Sequence, residues 1–298
     1  MKKHKSVFAL LQLLRPQQWI KNTFVWVGYL FSQGWHQPGL FTKTLIASLV
    51  FCFTSSAIYI FNDIIDRHRD RLHPFKMNRP IAANHISLPI AWAITIFIAC
   101  GSLGIGFYIS KQIGILLLLY ILLNIAYSLY LKHVMILDVI LIASGFMIRI
   151  LVGTVGIGIP PSWWLLICGT MLAIFLGFTK RRAEVSLFSD MQFSTRTVLQ
   201  HYSQGPLNNI IHFMAIVVII TYGAYALHQD AQFHPGPLKL IYTLPLVLLA
   251  IMRYLYLLNS ENYPSAGIDI ARDLLRDYPL LVTVSAWLLL TIAVLSMS

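Results

Sequence analysis

LIASLVFCFTSSAIYIFNDIIDRHRDRLHPFKMNRP, residues Leu45–Pro80, is apolar in its first half and densely charged in its second. The apolar run ends at Phe61, and another apolar run, Ile86–Ser110, follows the charged part. Apolar segments of about 20 residues are long enough to cross a bilayer as helices. The pattern therefore predicts two membrane-spanning helices that are joined at the water interface by a polar segment, Asn62–Pro80.

Three aspartates of this polar segment have the spacing of one helix face. If the helix continues past Phe61, Asp63, Asp66 and Asp70 fall at positions i, i+3 and i+7. Like charges on one face repel each other unless a cation lies among them, and Asn62 adds an amide oxygen beside them. Hard oxygen ligands with space between them suit Mg²⁺ that is held together with substrate phosphates. The simpler alternative is a solvated loop of mixed charge between two membrane helices.

The composition indicates an integral membrane protein. Of the 298 residues, 57% are hydrophobic and only 11% are charged, and the mean hydropathy is +0.71. A soluble domain has about a quarter of its residues charged. The formal net charge of +11 then indicates basic cytoplasmic loops and contact with anionic membrane lipids or phosphate ligands, and it does not call for nucleic acid.

Hydropathy predicts nine membrane spans behind an amphipathic interfacial segment, residues 1–21. We expect residues 22–298 to form one all-α catalytic domain with a central cavity that opens to the cytoplasm. The predicted spans are 22–35, 44–61, 87–109, 113–131, 134–153, 163–179, 208–228, 239–258 and 279–297.

The placement of lysine and arginine predicts the orientation of these spans. Most of them lie in the N-terminal segment and in the even-numbered connections, whereas Lys43, Lys111 and Lys239 lie on the other side. Basic loops stay in the cytoplasm, so the N-terminus is expected inside and the C-terminus outside, in a bacterial-type inner membrane. Any chemistry of the charged segments is then cytoplasmic.

Three further charged groups have more than one interpretation. Asp138 and Arg149 lie about three turns apart within the fifth predicted span. They form either a structural pair or helix cap, or a contact with a headgroup. Lys180-Arg181-Arg182 is either a membrane anchor or a phosphate-binding patch. Asp269, Asp273 and Asp277 are spaced by four, with arginines alongside, which favours an exposed amphipathic helix.

Several motifs together resemble the UbiA-type membrane prenyltransferase superfamily. Asn62-Asp63-x-x-Asp66-x-x-x-Asp70 is similar to the first aspartate-rich motif of that superfamily. The continuation narrows the resemblance to the decaprenyl-phosphate phosphoribosyltransferase branch. The motifs that carry it are Asp70-Arg71-Leu72-His73-Pro74-x-Lys76-x-x-Arg79-Pro80, Arg15-Pro16-x-Gln18-Trp19-x-Lys21-Asn22, Tyr127-Ser128-x-x-x-Lys132, Gly145-Phe146-x-x-Arg149, Lys180-Arg181-Arg182-Ala183-Glu184 and Arg276-Asp277-x-Pro279.

This resemblance implies an enzyme that moves 5-phosphoribose from phosphoribosyl pyrophosphate to a polyprenyl phosphate. The implied cofactor is Mg²⁺, held by the catalytic oxygen ligands Asn62, Asp63, Asp66 and Asp70. The donor carries a pyrophosphate and a 5-phosphate, and the acceptor carries a lipid phosphate. A site for these three anionic groups needs more cations than a site for one diphosphate and a neutral aromatic ring. The implied substrate-binding residues are Lys21, Lys76, Arg79, Tyr127, Lys132, Lys180, Arg182 and Glu184. Membrane lipids are further partners, and a homo-oligomer is a possible assembly.

The chain departs from the family pattern at two places. Asn84 stands where family members commonly have glycine, and asparagine tolerates a positive φ there. Aromatic-acceptor prenyltransferases have a second aspartate-rich motif between the sixth and seventh spans, where this chain has Lys180-Arg181-Arg182. The second departure favours a second phosphate-binding patch.

Two other functions fit parts of the pattern. A prenyltransferase of the same fold would move a prenyl group from its diphosphate to an aromatic ring. A lipid carrier or flippase would also have many spans, but transporters usually place charged groups near the bilayer midplane on broken helices. In this chain nearly all acidic residues fall at one predicted membrane edge.

Overall fold

A computed structural model provides the structure of the protein. It describes residues 9–72, 76–131, 137–189, 204–232, 239–260, 263, 266–267 and 269–297. Helices, turns and irregular segments account for all of these residues, and none of them is in a strand. The prediction of an all-α membrane protein is therefore confirmed.

The helices are numbered in the order in which they follow one another along the chain. Residues 9–14 form α1, and a 3-10 helix, Pro16–Val25, leads to α2. The following helices are α2 (Trp26–Phe31), α3 (Leu40–Arg71), α4 (Leu88–Ile109), α5 (Lys111–Leu129), α6 (Leu137–Val152), α7 (Trp163–Ser189), α8 (Gln204–Gln232), α9 (Leu244–Asn259), α10 (Ile270–Arg276) and α11 (Tyr278–Ser296).

Eight helices in the described ranges are long and apolar enough to cross a membrane. The predicted count of nine is not confirmed, because the first predicted span, 22–35, is divided between the 3-10 helix and the six-residue α2. α3 is longer than the predicted span 44–61: it continues past the apolar run through Asn62 to Arg71. The charged residues therefore extend a membrane helix, which is the condition for the shared face of the aspartates, instead of forming the loop that was the alternative.

The described residues divide into two compact units. The first comprises Met1–Tyr29, Gly34–Lys132 and Ile148–Pro160, and the second comprises Leu30–Gln33, His133–Met147 and Pro161–Ser298. Most of the first unit's core lies between α3, α5 and the end of α6, where the rings of Phe51 and Tyr120 pack in a tilted arrangement with 4.8 Å between their centroids. The predicted single domain, 22–298, and the interfacial segment, 1–21, remain predictions.

Side chains join the 3-10 helix to α3 at successive turns. The Trp19 indole donates to the Ser56 hydroxyl at 3.0 Å, and the buried Asn22 amide donates to Ser55 Oγ at 3.2 Å. Ser56 in turn donates to the carbonyl of Leu14 at 2.7 Å. Runs of 3-10 helix longer than four residues are uncommon, because their hydrogen-bond geometry is poor. Here these contacts with α3 stabilise a run of ten residues.

A close approach of two glycines fixes the N-terminal segment against the end of α6. A Cβ atom built at Gly28 would lie 1.8 Å from the carbonyl oxygen of Gly153, and one at Gly153 would lie 1.8 Å from that of Val25. Any side chain at either position would overlap with backbone. Only glycine at both positions permits this contact.

Arg149 strengthens the same junction inside the first unit. Its guanidinium is buried, donates to Asn22 Oδ1 at 2.8 Å, and lies 4.9 Å and 5.2 Å from the ring centroids of Phe51 and Tyr120. An arginine inside a membrane span faces a polar partner or cavity. These contacts make Arg149 a structural link between α6, the 3-10 helix and the aromatic core, in agreement with the first of its two interpretations.

The second unit is built around α7, α8, α9 and α11. Its largest core cluster contains Phe175, Ile211 and Tyr254, and α7 packs against α8 and α9 against α11. Asp138 and Arg181 form an ion pair with 3.0 Å between Oδ2 and Nε, and both side chains are at most 1% exposed. The intramembrane Asp138 is thus neutralised by the middle residue of the basic triplet.

Candidate functional site

The carboxylates at the end of α3 lie on one face, as their spacing predicts. Asp63 and Asp70 are both buried, and one nitrogen, Nη1 of Arg79, binds both of them. The distances are 2.9 Å to Asp63 Oδ1 and 2.6 Å to Asp70 Oδ2. The two aspartates are seven residues apart, so their shared partner confirms the i, i+7 face.

Arg15 is a second cation on Asp63, and sequence reasoning assigned it no role in the site. Its Nη2 donates to Asp63 Oδ1 at 2.5 Å, and its guanidinium lies 5.4 Å from the ring centroid of Tyr59. Its backbone is left-handed, with φ at 52°, directly before Pro16. A non-glycine residue in that region costs of order 1–3 kcal/mol and persists only where its surroundings hold it. The sequence feature that could have pointed to a role for Arg15 in the site is its position directly before Pro16 in the opening motif.

Arg15, Asp63, Arg79 and Asp70 thus form a continuous ion-pair chain, which we call the α3 charge chain. Two guanidinium groups balance two carboxylates within it. The arginines are about one quarter exposed, whereas the carboxylates are almost fully buried. The open side of the chain is therefore basic, and a phosphate that approaches it meets guanidinium groups first.

The other predicted ligands on α3 lie beside this chain. Asp66 is half-buried, one turn after Asp63. Asn62 is also half-buried, and its Oδ1 accepts a hydrogen bond from Ser128 Oγ on α5. Tyr127 is half-buried in the last turn of the same helix. The asparagine amide thus connects the α3 charge chain to α5.

In the part of the connection after α3 that the structure describes, residues 76–87, hydrogen bonds fix the backbone that carries Arg79. Arg71 donates to the Ala82 carbonyl at 3.0 Å and to Asn84 Oδ1 at 2.6 Å. Asn84 has a φ of 57°, which confirms the expectation that it takes the positive φ of a glycine. The backbone N–H of Arg79 donates to the backbone carbonyl of the half-buried Lys76 at 3.0 Å.

The remaining predicted substrate-binding residues belong to different parts of the chain. Lys21 is half-buried on the 3-10 helix and donates to Gln18 Oε1 at 2.5 Å, and Lys132 lies outside the described residues. In the second unit Lys180 is half-buried, and Glu184 pairs with Arg181. Their assignment as substrate ligands stays a prediction.

Arg182 makes three hydrogen bonds to neutral acceptors within the second unit. Its guanidinium donates to Asn208 Oδ1 at 2.5 Å, to the Leu258 carbonyl at 2.5 Å and to Asn259 Oδ1 at 2.6 Å. It therefore joins the ends of α7, α8 and α9. Of the basic triplet, Arg181 and Arg182 both have structural contacts in addition to any phosphate contact.

The donor chemistry at α3 fits a divalent cation, but the predicted three-carboxylate cluster is not assembled. No group of three carboxylate, imidazole or thiolate side chains in the described ranges is arranged to hold a metal. Asp63 Oδ1 and Asp70 Oδ2 nevertheless bind one nitrogen at 2.9 and 2.6 Å and so lie within about 5.5 Å of each other. Hard carboxylate oxygens are the ligands that Mg²⁺ prefers. The position between them is held by Arg79.

Two of the three acidic residues near α10, Asp273 and Asp277, are buried, so the prediction that they lie exposed on an amphipathic helix is wrong for these two, whereas Asp269 is half-buried. Asp277 binds Arg253 through two hydrogen bonds of 3.0 and 2.7 Å, and it caps α11 by accepting from the Leu280 N–H. Asp273 accepts from the Gly267 N–H at 2.7 Å. Both carboxylates are less than 9% exposed, because their partners lie elsewhere in the sequence.

Burial raises the pKa of Asp273 to about 6; the Gly267 N–H opposes this rise, and the nearby Asp269 carboxylate contributes to it. Because the folded state holds this proton more tightly than the unfolded chain, its stabilising contribution is complete below about pH 4. It is lost as the pH rises through about 6.

The loss amounts to at most about 3 kcal/mol, since one pKa unit corresponds to 1.36 kcal/mol. Asp273→Asn removes this titration and keeps an acceptor for Gly267. We expect its unfolding midpoint, relative to the wild type, to be higher at pH 7.5 than at pH 4.5. Thermal unfolding of both purified proteins at the two pH values measures this, and an equal difference at both would contradict it.

Comparison with known proteins places these features in a family. The UbiA prenyltransferase family matches residues 22–192. The decaprenyl-phosphate phosphoribosyltransferase of Mycolicibacterium smegmatis is 33% identical over 228 residues, which are 75% of this chain and 72% of that protein. The enzyme of the same name from Mycobacterium tuberculosis is 28% identical over 286 residues, 95% of this chain and 92% of that protein.

A solved structure supports the fold. The UbiA homolog from Archaeoglobus fulgidus bound to GPP and Mg²⁺ superposes with a TM-score of 0.71, covering 97% of this chain and 99% of that chain. Its sequence is 17% identical to this one. The two chains therefore share the helical architecture, and the likeness extends no further than the fold.

Proposed function

Because the chain belongs to the UbiA prenyltransferase family, we propose that it transfers 5-phosphoribose from phosphoribosyl pyrophosphate to a polyprenyl phosphate. The nearly end-to-end similarity to a decaprenyl-phosphate phosphoribosyltransferase, at 28% identity over 95% of the chain, carries this proposal. The basic triplet in place of a second aspartate-rich motif supports the same choice. The donor is phosphorylated at both ends and the acceptor carries a further phosphate, so a site for both needs additional cations such as this triplet.

The transfer exchanges one bond at the anomeric carbon of the ribose. The C1–O bond to pyrophosphate breaks and its electron pair leaves with the pyrophosphate, while an oxygen of the lipid phosphate forms the new bond to C1. Negative charge grows on the leaving group and positive charge on the ribosyl ring, so groups that stabilise the leaving anion accelerate the reaction. The lipid phosphate is already an anion and needs no general base.

The residues at the end of α3 suit the leaving-group side of this reaction. Arg79 and Arg15 present guanidinium groups at the open side of the α3 charge chain, and Lys76 lies on the same connection. Asp63 and Asp70, with Asp66 and Asn62, would hold a divalent cation. Such a cation, when bound, neutralises charge on the departing pyrophosphate.

We place the acceptor and donor sites at the cytoplasmic face of a bacterial-type inner membrane, with the N-terminus inside and the C-terminus outside. The distribution of basic residues supports this orientation. The protein is a multi-pass membrane protein, as the eight long apolar helices among the described residues indicate. The predictions of one catalytic domain, 22–298, and of a homo-oligomer belong to the same proposal.

A transfer assay with the purified full chain tests the proposal against a prenyltransferase of the same fold. One reaction contains phosphoribosyl pyrophosphate labelled in the ribose and a polyprenyl phosphate, and the other contains a prenyl diphosphate and a hydroxybenzoate. We expect labelled ribose in the lipid fraction and pyrophosphate release. Prenylated aromatic product without ribosylated lipid would overturn the proposal, and lipid flux in sealed vesicles without pyrophosphate release would indicate a carrier.

Removing a predicted phosphate-binding lysine is expected to weaken donor binding. Lys76→Ala and Lys180→Ala should each raise the KM for phosphoribosyl pyrophosphate by roughly tenfold or more, since a hydrogen bond to a charged group is worth about 1.5–3 kcal/mol. Steady-state kinetics with varied donor at saturating lipid phosphate measure this change. Lys111→Ala, on the predicted outer side, is the control. Unchanged donor kinetics in both variants would assign these lysines to lipid or membrane contacts.

A further inference from the structure

We propose that Arg79 is the resident counter-cation of the carboxylates on α3, and that it gives up this place only when pyrophosphate arrives together with a divalent cation. The inference rests on the proposed function, because it takes pyrophosphate as the leaving group of the donor. It adds a coupling between two ligands: the divalent cation and the pyrophosphate bind together, and the movement of Arg79 links their binding.

One nitrogen atom of Arg79 contacts both buried carboxylates of α3. Nη1 of Arg79 lies 2.9 Å from Asp63 Oδ1 and 2.6 Å from Asp70 Oδ2. Carboxylate oxygens are the ligands that Mg²⁺ prefers in proteins. The two oxygens lie within about 5.5 Å of each other and would hold a divalent cation between them. Arg79 Nη1 occupies the same place, so the guanidinium and the ion exclude each other.

The burial of the three groups explains why the exchange needs a second partner. The Asp63 and Asp70 side chains are 3% and 5% exposed, whereas that of Arg79 is 29% exposed. If an ion displaced Arg79 without pyrophosphate, the guanidinium would lose both carboxylates and stay beside a divalent charge. Pyrophosphate offers the planar guanidinium a new bidentate partner at this open side. Binding of either ligand then favours binding of the other to the same extent.

The surrounding contacts confine the movement to one side chain. The backbone of Arg79 is fixed on both sides, by its N–H to the Lys76 carbonyl at 3.0 Å and by the Ala83 N–H to its own carbonyl at 2.8 Å. Arg71 fastens the same connection to α3 through Ala82 and Asn84. Rotation of the Arg79 side chain is therefore sufficient, and the connection does not need to open.

Arg15 has a different part in this arrangement. It binds the same Asp63 oxygen from the 3-10 helix, where its left-handed backbone precedes Pro16. Its place at the start of that helix keeps Asp63 oriented after Arg79 has moved. The two arginines on one oxygen thus divide their roles: Arg15 is a positioning residue, and Arg79 is the exchangeable one.

Binding of Mn²⁺ to the purified full chain tests the inference without measuring transfer. Free Mn²⁺ is followed by its electron paramagnetic resonance signal, first without and then with pyrophosphate, with correction for the Mn²⁺–pyrophosphate complex in solution. The wild type is expected to bind Mn²⁺ weakly alone and about tenfold more tightly with pyrophosphate, which lies within the 5–150-fold range typical of coupled sites. Arg79→Gln should bind Mn²⁺ alone about tenfold more tightly than the wild type and lose most of the pyrophosphate effect.

Two further variants keep the result unambiguous. Arg71→Gln removes the same charge from the same region and loosens the connection at Ala82 and Asn84 without removing a contact of Arg79 to the carboxylates, so we expect a gain in Mn²⁺ affinity well below that of Arg79→Gln. Arg79→Lys retains the charge on a shorter side chain that cannot bind pyrophosphate in a bidentate way, and we expect an Mn²⁺ affinity between those of the wild type and Arg79→Gln. It serves in place of Arg79→Gln if that variant does not fold.

The outcomes separate this inference from the proposed function. Equal Mn²⁺ affinity of the wild type and the Arg79 variants without pyrophosphate, or equal gain in Arg71→Gln, would overturn the inference even if the wild type transfers ribose. Tighter Mn²⁺ binding by Arg79→Gln in a protein that transfers no ribose would support the counter-cation and overturn the proposed function.

Discussion

Asp63→Asn is expected to lower the rate of phosphoribosyl transfer by about a thousandfold while the protein stays folded. Asparagine keeps the size of the side chain and an acceptor for Arg15 and Arg79, so the main change is the loss of one negative charge. A bound metal ion supplies several kcal/mol of charge stabilisation in the transition state, and each 1.36 kcal/mol is a factor of ten in rate. Asp66→Asn is expected to act in the same direction.

The measurement is the turnover number with ribose-labelled donor and saturating polyprenyl phosphate, on protein whose unfolding midpoint has been determined. Asp273→Asn is the matched control, because it neutralises a buried carboxylate in the other unit. Near-normal turnover in both purified α3 variants would remove the metal assignment. Asparagine is a sharper test than alanine, because alanine would also remove the oxygen to which both Arg15 and Arg79 donate.

Arg181→Met should destabilise the folded protein by about 3–5 kcal/mol, the cost of leaving one partner of a buried ion pair unpaired. Asp138 and Arg181 are at most 1% exposed and lie 3.0 Å apart. Without the guanidinium, the Asp138 carboxylate would lose this counter-charge in an apolar interior, which is costly. The free energy of unfolding in an SDS titration measures the effect.

A double variant shows whether the ion pair itself is responsible. Asp138→Asn combined with Arg181→Met removes both charges, and we expect it to recover most of the stability that the single variant loses. Glu184 also pairs with Arg181, but at 13% exposure it retains some access to water. A single variant within 1 kcal/mol of the wild type would show that Asp138 is neutralised in another way.

The periodicity of the sequence was sufficient for the helices but not for every boundary. The predicted span 87–109 agrees closely with α4, Leu88–Ile109, because apolar composition alone determines it. α3 extends to Arg71 since Asp63 and Asp70 find arginine partners, and their charges therefore do not end the helix. The segment 22–35 was expected to be a span, but polar contacts of Trp19 and Asn22 hold its beginning as a 3-10 helix.

The site was predictable where it depends on local spacing and not where it depends on distant partners. The face shared by Asp63 and Asp70 follows from the helical period. The contact between Arg15 and Asp63 joins residues far apart in the sequence, and no local pattern specifies it. The burial of Asp277 depends in the same way on Arg253, which lies on another helix.

The contact between Gly28 and Gly153 has a consequence for biogenesis. Val25 and Gly28 approach Gly153 only once the end of α6 exists, and Arg149 of α6 then adds a hydrogen bond to Asn22. While the ribosome is still making α4 and α5, the beginning of the nascent chain can bind α3 through Trp19 and Asn22 but lacks this second surface. We therefore expect the amino-terminal portion to be only partly packed until the sixth helix has emerged.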